Sequence, residues 1–344
     1  MSKVAVVILN WNGRALLEQF LPAVIQFSSS AEIIVADNNS TDDSVEFVET
    51  NFSTVRIVKN SSNGGYAKGY NDALKQVEAE YCILLNSDVE VTSGWLEPVI
   101  RMMDADLSIV AAQPKLLAYN QKEQFEYAGA AGGFIDKYGY PFCRGRIFDS
   151  YENDFGQYDD SREIHWATGA CLFVRTAVFK AEGGLDEDFF AHMEEIDLCW
   201  RLKNRGFRIM YCAESVVYHV GAGTLAKHSP HKTYLNFRNN LILLCKNHSR
   251  QYFRLKLVLR MLMDGIAGLK FLVSGDAAHC IAVMKAHISF YSTFPKTLAK
   301  RKELKKGVVK YSTSAIYNRS IVADYYLRGK KKFSDLRSDK FLNI

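Results

Sequence analysis

Apolar and polar positions alternate in blocks along the first hundred residues. Val4–Leu9 is a continuous run rich in β-branched residues, Ala15–Phe27 has helical spacing, Glu32–Ala36 is a second apolar run, and Asp43–Glu49 is helical after an Asn-Asn-Ser-Thr-Asp turn. Val55–Val58 predicts a third strand, Tyr66–Val77 a helix, and Tyr81–Leu85 a fourth strand that stops at Asn86-Ser87-Asp88. Strands apolar at every position, with helices between them, predict a parallel sheet covered on both faces. Ligands of such sheets bind beyond the C-terminal strand ends. The polar clusters Asn10-Trp11-Asn12, Asp37-Asn38-Asn39 and Asn86-Ser87-Asp88 all fall there.

From about Pro114 to Ile164 the pattern loosens into a Gly- and aromatic-rich stretch, which predicts loops and short strands over a site. Trp166–Arg175 is strand-like, Thr176–Ala181 helical, Asp186–Asp197 acidic, and Ile209–Val220 a late strand that includes Tyr218-His219. After Ala226 the pattern turns to helices with mixed apolar and basic faces, Tyr234–Asn247, Tyr252–Val273 and Ala277–Tyr291, followed by a basic tail from Lys300 to Ile344. No internal repeat is present.

The 344 residues allow two domains at roughly 100–200 residues each, and 48% apolar composition is enough for a core. The net charge of +5 conceals two opposed halves: residues 1–226 carry 19 Lys/Arg against 32 Asp/Glu, and residues 227–344 carry 24 against 6. An acidic, ligand-handling body is therefore joined to a basic region suited to an anionic partner. Seven scattered cysteines with no Cys-x-x-Cys pair point to a reducing compartment without a disulfide framework or zinc ribbon. The N-terminal apolar run stops at Asn10, too short for a signal peptide, and Leu255–Val273 is interrupted by Lys256, Arg260, Asp264 and Lys270, which argues against a spanning helix.

Four clusters carry candidate chemistry. Asp88 and Glu90 place hard oxygen donors at a strand mouth, suited to Mg²⁺ or Mn²⁺ with substrate phosphates, although Asn-Ser-Asp is also ordinary turn chemistry. Asp37, just past a strand end, suits a uracil or thymine N–H or ribose hydroxyls, while Ser40 or Thr41 caps the next helix. Asn63-Gly64-Gly65-Tyr66-Ala67-Lys68-Gly69-Tyr70-Asn71 opens a helix with little side-chain bulk, allowing close backbone approach to a phosphate or ribose. It fits neither a Rossmann fingerprint nor a P-loop. In Phe189–Leu202, Glu194, Glu195 and Asp197 crowd among Phe189, Phe190 and Trp200, which raises a carboxyl pKa toward that of a base; on a plain surface helix the same run would be a solvated acidic face. A lone His219 at a strand end is structural unless a metal is already implicated.

Taken in order, Val-Val-Ile-Leu-Asn-Trp-Asn-Gly (6–13), Val-Ala-Asp-Asn-Asn-Ser-Thr-Asp (35–42), Asn-Gly-Gly-Tyr-Ala-Lys-Gly-Tyr-Asn (63–71), Leu-Leu-Asn-Ser-Asp-Val-Glu (84–90), Thr-Gly-Ala-Cys-Leu-Phe-Val-Arg (168–175), Glu-Glu-Ile-Asp-Leu-Cys-Trp-Arg (194–201) and Asn-Phe-Arg-Asn-Asn (236–240) resemble the inverting family 2 glycosyltransferases, in their bacterial rhamnosyltransferase-like branch. The resemblance spans about residues 3–250. It implies an α/β GT-A fold, a mostly parallel sheet flanked by helices, with a nucleotide-sugar half over about 1–112, an acceptor half over about 113–226, and a C-terminal basic helical extension over 227–344. Asp37 would contact the nucleobase, with Asn10 and Asn39 nearby and Asn63 and Gly65 lining the nucleotide cleft. Asp88 matches the last Asp of the family's Asp-x-Asp motif and would bind Mg²⁺ or Mn²⁺; Asn86 replaces the first Asp, and His219 becomes a second metal ligand. Glu195 stands at the family's catalytic Asp, beside Glu194, so either is a candidate base. Trp166, Gly169 and Asp197 are expected in the sugar or acceptor pocket.

The resemblance further implies a UDP- or dTDP-linked donor and a hydroxyl acceptor on a growing, lipid-linked cell-surface glycan. The basic half is then expected on the inner face of the cell membrane, in a cytoplasmic protein, and truncation before Lys300 is expected to release it. Two other classes fit less well: an inactive glycan-binding homologue, which the acidic residues 88, 195 and 197 argue against, and a nucleic-acid-binding protein, for which the basic clusters show no module pattern.

Overall fold

The computed structural model describes residues 2–221, 229–249 and 253–342. In chain order the first half contains β1 (Val4–Asn10), α1 (Arg14–Phe27), β2 (Glu32–Asp37), α2 (Ser44–Asn51), β3 (Arg56–Lys59), α3 (Gly65–Lys75), β4 (Tyr81–Asn86), β5 (Val89–Val91) and α4 (Glu97–Ala105). There follow β6 (Ile109–Ala118), β7 (Gln121–Phe125), β8 (Gly133–Asp136), β9 (Pro141–Cys143), β10 (Arg146–Ile147), β11 (Ser150–Tyr151), β12 (Arg162–Glu163), β13 (Cys171–Arg175), α5 (Thr176–Ala181), α6 (Glu194–Asn204) and β14 (Arg208–His219). The chain ends with α7 (Pro230–Asn247), α8 (Phe253–Val273), α9 (Ala277–Lys306), β15 (Ile316–Tyr317), α10 (Ile321–Tyr326) and β16 (Phe341–Leu342).

The main sheet runs β12-β14-β6-β13-β4-β1-β2-β3, with β5 and β7 pairing at β14 and β6. Strands β3, β2, β1 and β4 are parallel, and β13 enters antiparallel between β4 and β6. Side chains on both faces of β1 and β4 are buried, as their unbroken apolar sequences demand. Register then aligns the polar strand ends: Asn10 lies opposite Asp37, and Leu9 opposite Asn86.

Three expectations change in the C-terminal half. The boundary at 226–227, and Tyr252 at the start of one expected helix, lie outside the described residues. Helix α7 is not an interfacial helix: Leu235 and Leu241–Leu244 are core residues, and Lys246 is turned inward. Its start is set by Ser229, which accepts from the Lys232 N–H, and by Pro230 in the first turn. Helix α9 continues through Pro295 to Lys306, so Lys300–Lys306 is helix rather than tail. Residues beyond it fold back, with β15 and β16 completing a second sheet in the order β11-β10-β9-β8-β15-β16. Tyr317 is fully buried there, and the Ile321 N–H donates to Asp136 at 3.0 Å.

Candidate active site

The register of β1, β2 and β4 gathers one side of the site. Asp37 ends β2 buried, its Oδ2 accepting from the Ser40 N–H at 3.1 Å and its Oδ1 from Asn10 Nδ2 at 3.4 Å. Asn10 Nδ2 also reaches the Ser44 hydroxyl at 2.9 Å, while its Oδ1 is buried and unpartnered. Asn39, in contrast, is exposed in a left-handed backbone with φ 63°. Its neighbour Asn38 does the joining: Nδ2 donates to Asn63 Oδ1 at 2.9 Å and to the Gly65 carbonyl at 3.2 Å. Gly65 itself has φ 78°, and a Cβ there would meet the Phe190 carbonyl oxygen at 2.7 Å. That close approach requires glycine.

Asp88 lies just past β4, buried beside the end of β14. Its Oδ1 is 3.1 Å from His219 Nε2, and His219 Nδ1 is 3.3 Å from Glu126 Oε1. Burial alone would lower the His219 pKa, but Glu126 and Asp88 outweigh it and raise the group to about 10. Burial opposes ionisation of Asp88 too, and His219 holds its pKa below the usual value. Asp88 Oδ2 is buried without a partner. The free Asp88 Oδ2 fits a divalent cation, which is commonly held by one or two carboxylates plus substrate phosphates, whereas His219 becomes a ligand only on losing the proton that Asp88 and Glu126 stabilise. Among the described residues no group of three His, Cys, Asp or Glu side chains is arranged to hold a metal alone. Asn86, half-buried, is tied by its backbone N–H to the Ala170 carbonyl at 3.0 Å.

The third part is the loop into α6. Phe190, His192 and Met193 have φ of 64°, 68° and 76°, an accumulation of left-handed non-glycine backbone that costs energy and needs external support. Helix α7 supplies it. Asn239 Nδ2 faces the carbonyls of Phe189, Ala191 and His192 at 3.1, 2.9 and 2.7 Å, and Arg238 donates to those of Asp188 and Phe189 at 2.8 and 3.2 Å. This support brings Glu194 and Glu195 onto the first turn of α6, each with one buried, unpartnered oxygen. Burial, then the Glu195 charge, pushes the Glu194 carboxyl well above its ordinary range; burial raises Glu195 to about 7. Tyr66 connects this loop to the sheet, its N–H donating to the Phe190 carbonyl at 3.0 Å and its hydroxyl to the Gly169 carbonyl at 2.6 Å.

Two expected pocket residues have other places. Asp197 is wholly buried, accepting from Arg201, Lys246 and Asn247 at 2.9, 2.9 and 2.7 Å, so its carboxylate fastens α6 to α7. Trp166 is buried as well, with its indole N–H donating to the Phe134 carbonyl at 2.9 Å and its ring filling the space left by Gly133. Gly169 does border the site, where a Cβ would meet the Tyr66 hydroxyl at 2.6 Å. Sequence reasoning missed Glu126, Tyr66 as a bridge, and Arg238 with Asn239 as supports. Tyr66 lay inside the Asn63–Asn71 motif and the last pair inside Asn-Phe-Arg-Asn-Asn, whereas Glu126 had no such signal.

A parallel half-sheet with polar strand ends, joined to a mixed half that presents a carboxylate pair, is the GT-A architecture of glycosyltransferases. Residues 5–179 match the family described as Glycosyl transferase family 2, and the chain belongs to it. Among its relatives is the N-acetylglucosaminyl-diphospho-decaprenol L-rhamnosyltransferase of Mycobacterium tuberculosis, 25% identical over 262 residues that cover 68% of this chain and 81% of that protein. Residues 1–349 of S. aureus TarS, solved in complex with UDP-GlcNAc, superpose with a TM-score of 0.54 at 16% identity, covering 95% of this chain and 92% of that one. A mannosyltransferase from Pyrobaculum calidifontis in complex with GDP-Man and Mn²⁺ superposes at 0.52 with 14% identity, covering 90% and 86%. The chain is a glycosyltransferase of the rhamnosyltransferase-like kind.

Proposed function

We propose that this enzyme transfers a sugar, rhamnose in the first instance, from a UDP- or dTDP-linked donor to a hydroxyl of a lipid-linked glycan, with inversion at the anomeric carbon. The observation that carries the reading is the adjacent pair of buried Glu194 and half-buried Glu195 on the first turn of α6, each with a buried, unpartnered oxygen, where burial raises both carboxyls and brings Glu195 to about 7. A base works best with a pKa near the operating pH, which favours Glu195. The similarity to a decaprenol-linked rhamnosyltransferase supports the sugar and the acceptor class.

Asp37 and Asn10 would hold the nucleobase or ribose, with Asn63 and the backbone at Gly65 on the far wall of the cleft. Asp88, joined by His219 once its proton is displaced, would hold Mg²⁺ or Mn²⁺, which when bound offsets charge on a departing diphosphate. Glu195 takes the proton of the acceptor hydroxyl as its oxygen bonds to the anomeric carbon. The bond from that carbon to the diphosphate oxygen breaks on the opposite face, and its electron pair leaves with the nucleoside diphosphate. Glu194, protonated, provides no nucleophile for a second displacement.

A panel of nucleotide sugars, assayed for metal-dependent release of nucleoside diphosphate with and without acceptor, tests this directly. Glu195→Gln is expected to lower kcat by roughly 10²–10⁴-fold with the circular dichroism spectrum unchanged. Full activity in that variant, or in Asp88→Ala, would overturn the assignment.

A further inference from the structure

Three lysines of the basic half are engaged with the acidic body. Lys246 pairs with Asp186 and with Asp197, and Lys300 lies 2.5 Å from Asp186 and 2.6 Å from Asp188, where Lys296 also lies at 2.6 Å. Arg301 is buried and donates to the Cys245 carbonyl at 2.6 Å. The three lysines join the two parts of one molecule, and Arg301 ties α9 to α7. The outward face of α8 and α9, by contrast, is largely apolar. On α8, Leu255, Val258, Leu262, Ile266, Leu269 and Val273 recur at helical spacing on one exposed face, with Ile266 69% and Val273 81% accessible. On α9, Ile281, Met284, Ile288 and Tyr291 do the same, with Ile288 68% accessible. The Tyr291 hydroxyl lies 3.3 Å from Met261 Sδ, so the two faces meet along the hairpin.

Each helix buries its opposite face. Leu257, Arg260, Asp264 and Gly268 are buried on α8, and Ala282, Val283, Ala286 and Phe290 on α9. The exposed stripes are therefore surplus to the protein's own core, and an uncovered apolar face of this size marks an interaction surface. Its margins identify the occupant. Arg254, Lys270, Lys285 and Lys302 are exposed beside the stripes, against only Asp276 and Glu303 among the exposed acids of the hairpin. A two-fold pairing with a second copy would bring a mainly cationic rim against itself, whereas anionic headgroups complement it. The α8 stripe extends for ~27 Å at 1.5 Å per residue, a helix lying in the interface plane rather than crossing it. No helix among the described residues is long and apolar enough to span a membrane.

We infer that the outer face of the α8–α9 hairpin seats in the interfacial layer of an anionic bilayer, Leu262, Ile266 and Ile288 entering among the acyl chains. The choice of a bilayer as occupant rests in part on the lipid-linked acceptor proposed above. Flotation of the full chain with vesicles of phosphatidylcholine alone, or with roughly one-third phosphatidylglycerol, provides the test, since each basic residue adds to attraction for anionic lipid. The wild-type chain is expected to float with the anionic vesicles. The triple variant Leu262→Glu, Ile266→Glu, Ile288→Glu is expected to lose at least about tenfold of that binding, with unchanged thermal unfolding because all three positions are already in water. Three results would overturn the inference: no flotation of the wild type, equal flotation of the variant, or a wild-type dimer in sedimentation that the variant dissociates. Donor hydrolysis by both proteins separates the readings. Flotation without hydrolysis counts against the enzymatic proposal alone, and hydrolysis without flotation against the bilayer face alone.

Discussion

Glu194 and Glu195 are adjacent carboxyls with one shared cause of perturbation, removal from water, and one difference, since the Glu195 charge bears on its neighbour. The activity profile follows. With Glu195 at about 7, kcat/KM is expected to rise through neutral pH and level off above it, measurable with a saturating metal concentration and a soluble acceptor analogue. Stability moves the other way. Between the ordinary carboxyl value of 4.5 and about 7 the folded chain holds a proton that the unfolded chain releases, so folding free energy weakens as pH rises through that window. Glu195→Gln removes the effect: the variant is expected to melt above the wild type at pH 8, with the gap closing toward pH 4.5. A melting curve lower than wild type at pH 8 would contradict a carboxylate ionised against the cost of its partial burial.

At the scale of elements, the loop before α6 depends on α7, and the dependence is measurable at one side chain. Asn239→Ala takes the side-chain donor from the Ala191 and His192 carbonyls, a loss of about 1–3 kcal/mol in chemical or thermal unfolding. Asn239→Asp is expected to be no better, because a carboxylate cannot donate to those carbonyls. Gly65→Ala forces a Cβ toward the Phe190 oxygen from a φ of 78°, with an expected cost of about 1–3 kcal/mol and a larger fall in kcat than in donor affinity. The strands β1, β2 and β4 were legible in the sequence because burial on both faces writes an unbroken apolar run. So were the polar ends of those strands, which supply Asn10, Asp37 and Asp88. The supports were not: Glu126 and His219 are brought together only by the return of β14 beside β6, and no local pattern encodes that pairing. Asp197 and Trp166 misled for a related reason, since an acid or an aromatic ring beside a site motif has the same sequence whether it faces ligand or core.

For the whole molecule, part of the charge opposition between the two halves is attraction within the chain. Asp186, Asp188 and Asp197 on the acidic side meet Lys246, Lys296 and Lys300 on the basic side. Ending the chain before Lys300 would remove the Lys300 pairs to Asp186 and Asp188, strip β15 and β16 from their sheet and empty the space filled by Tyr317. Such a truncation is expected to unfold or aggregate rather than to yield an active enzyme released from membranes, and gel filtration with circular dichroism distinguishes the outcomes. The charge arithmetic was fully readable in the sequence, but its meaning depended on which cations the fold turns inward.

The left-handed run at Phe190, His192 and Met193 also bears on recombination between relatives. Because the cost of that backbone is offset from a helix almost fifty residues further on, by Asn239, the two segments form one inheritable unit. A chimera that exchanges residues 186–204 while keeping a foreign 230–247 would carry the carboxylate pair without its scaffold, and sequence blocks for swapping donor or acceptor preference should be cut outside both.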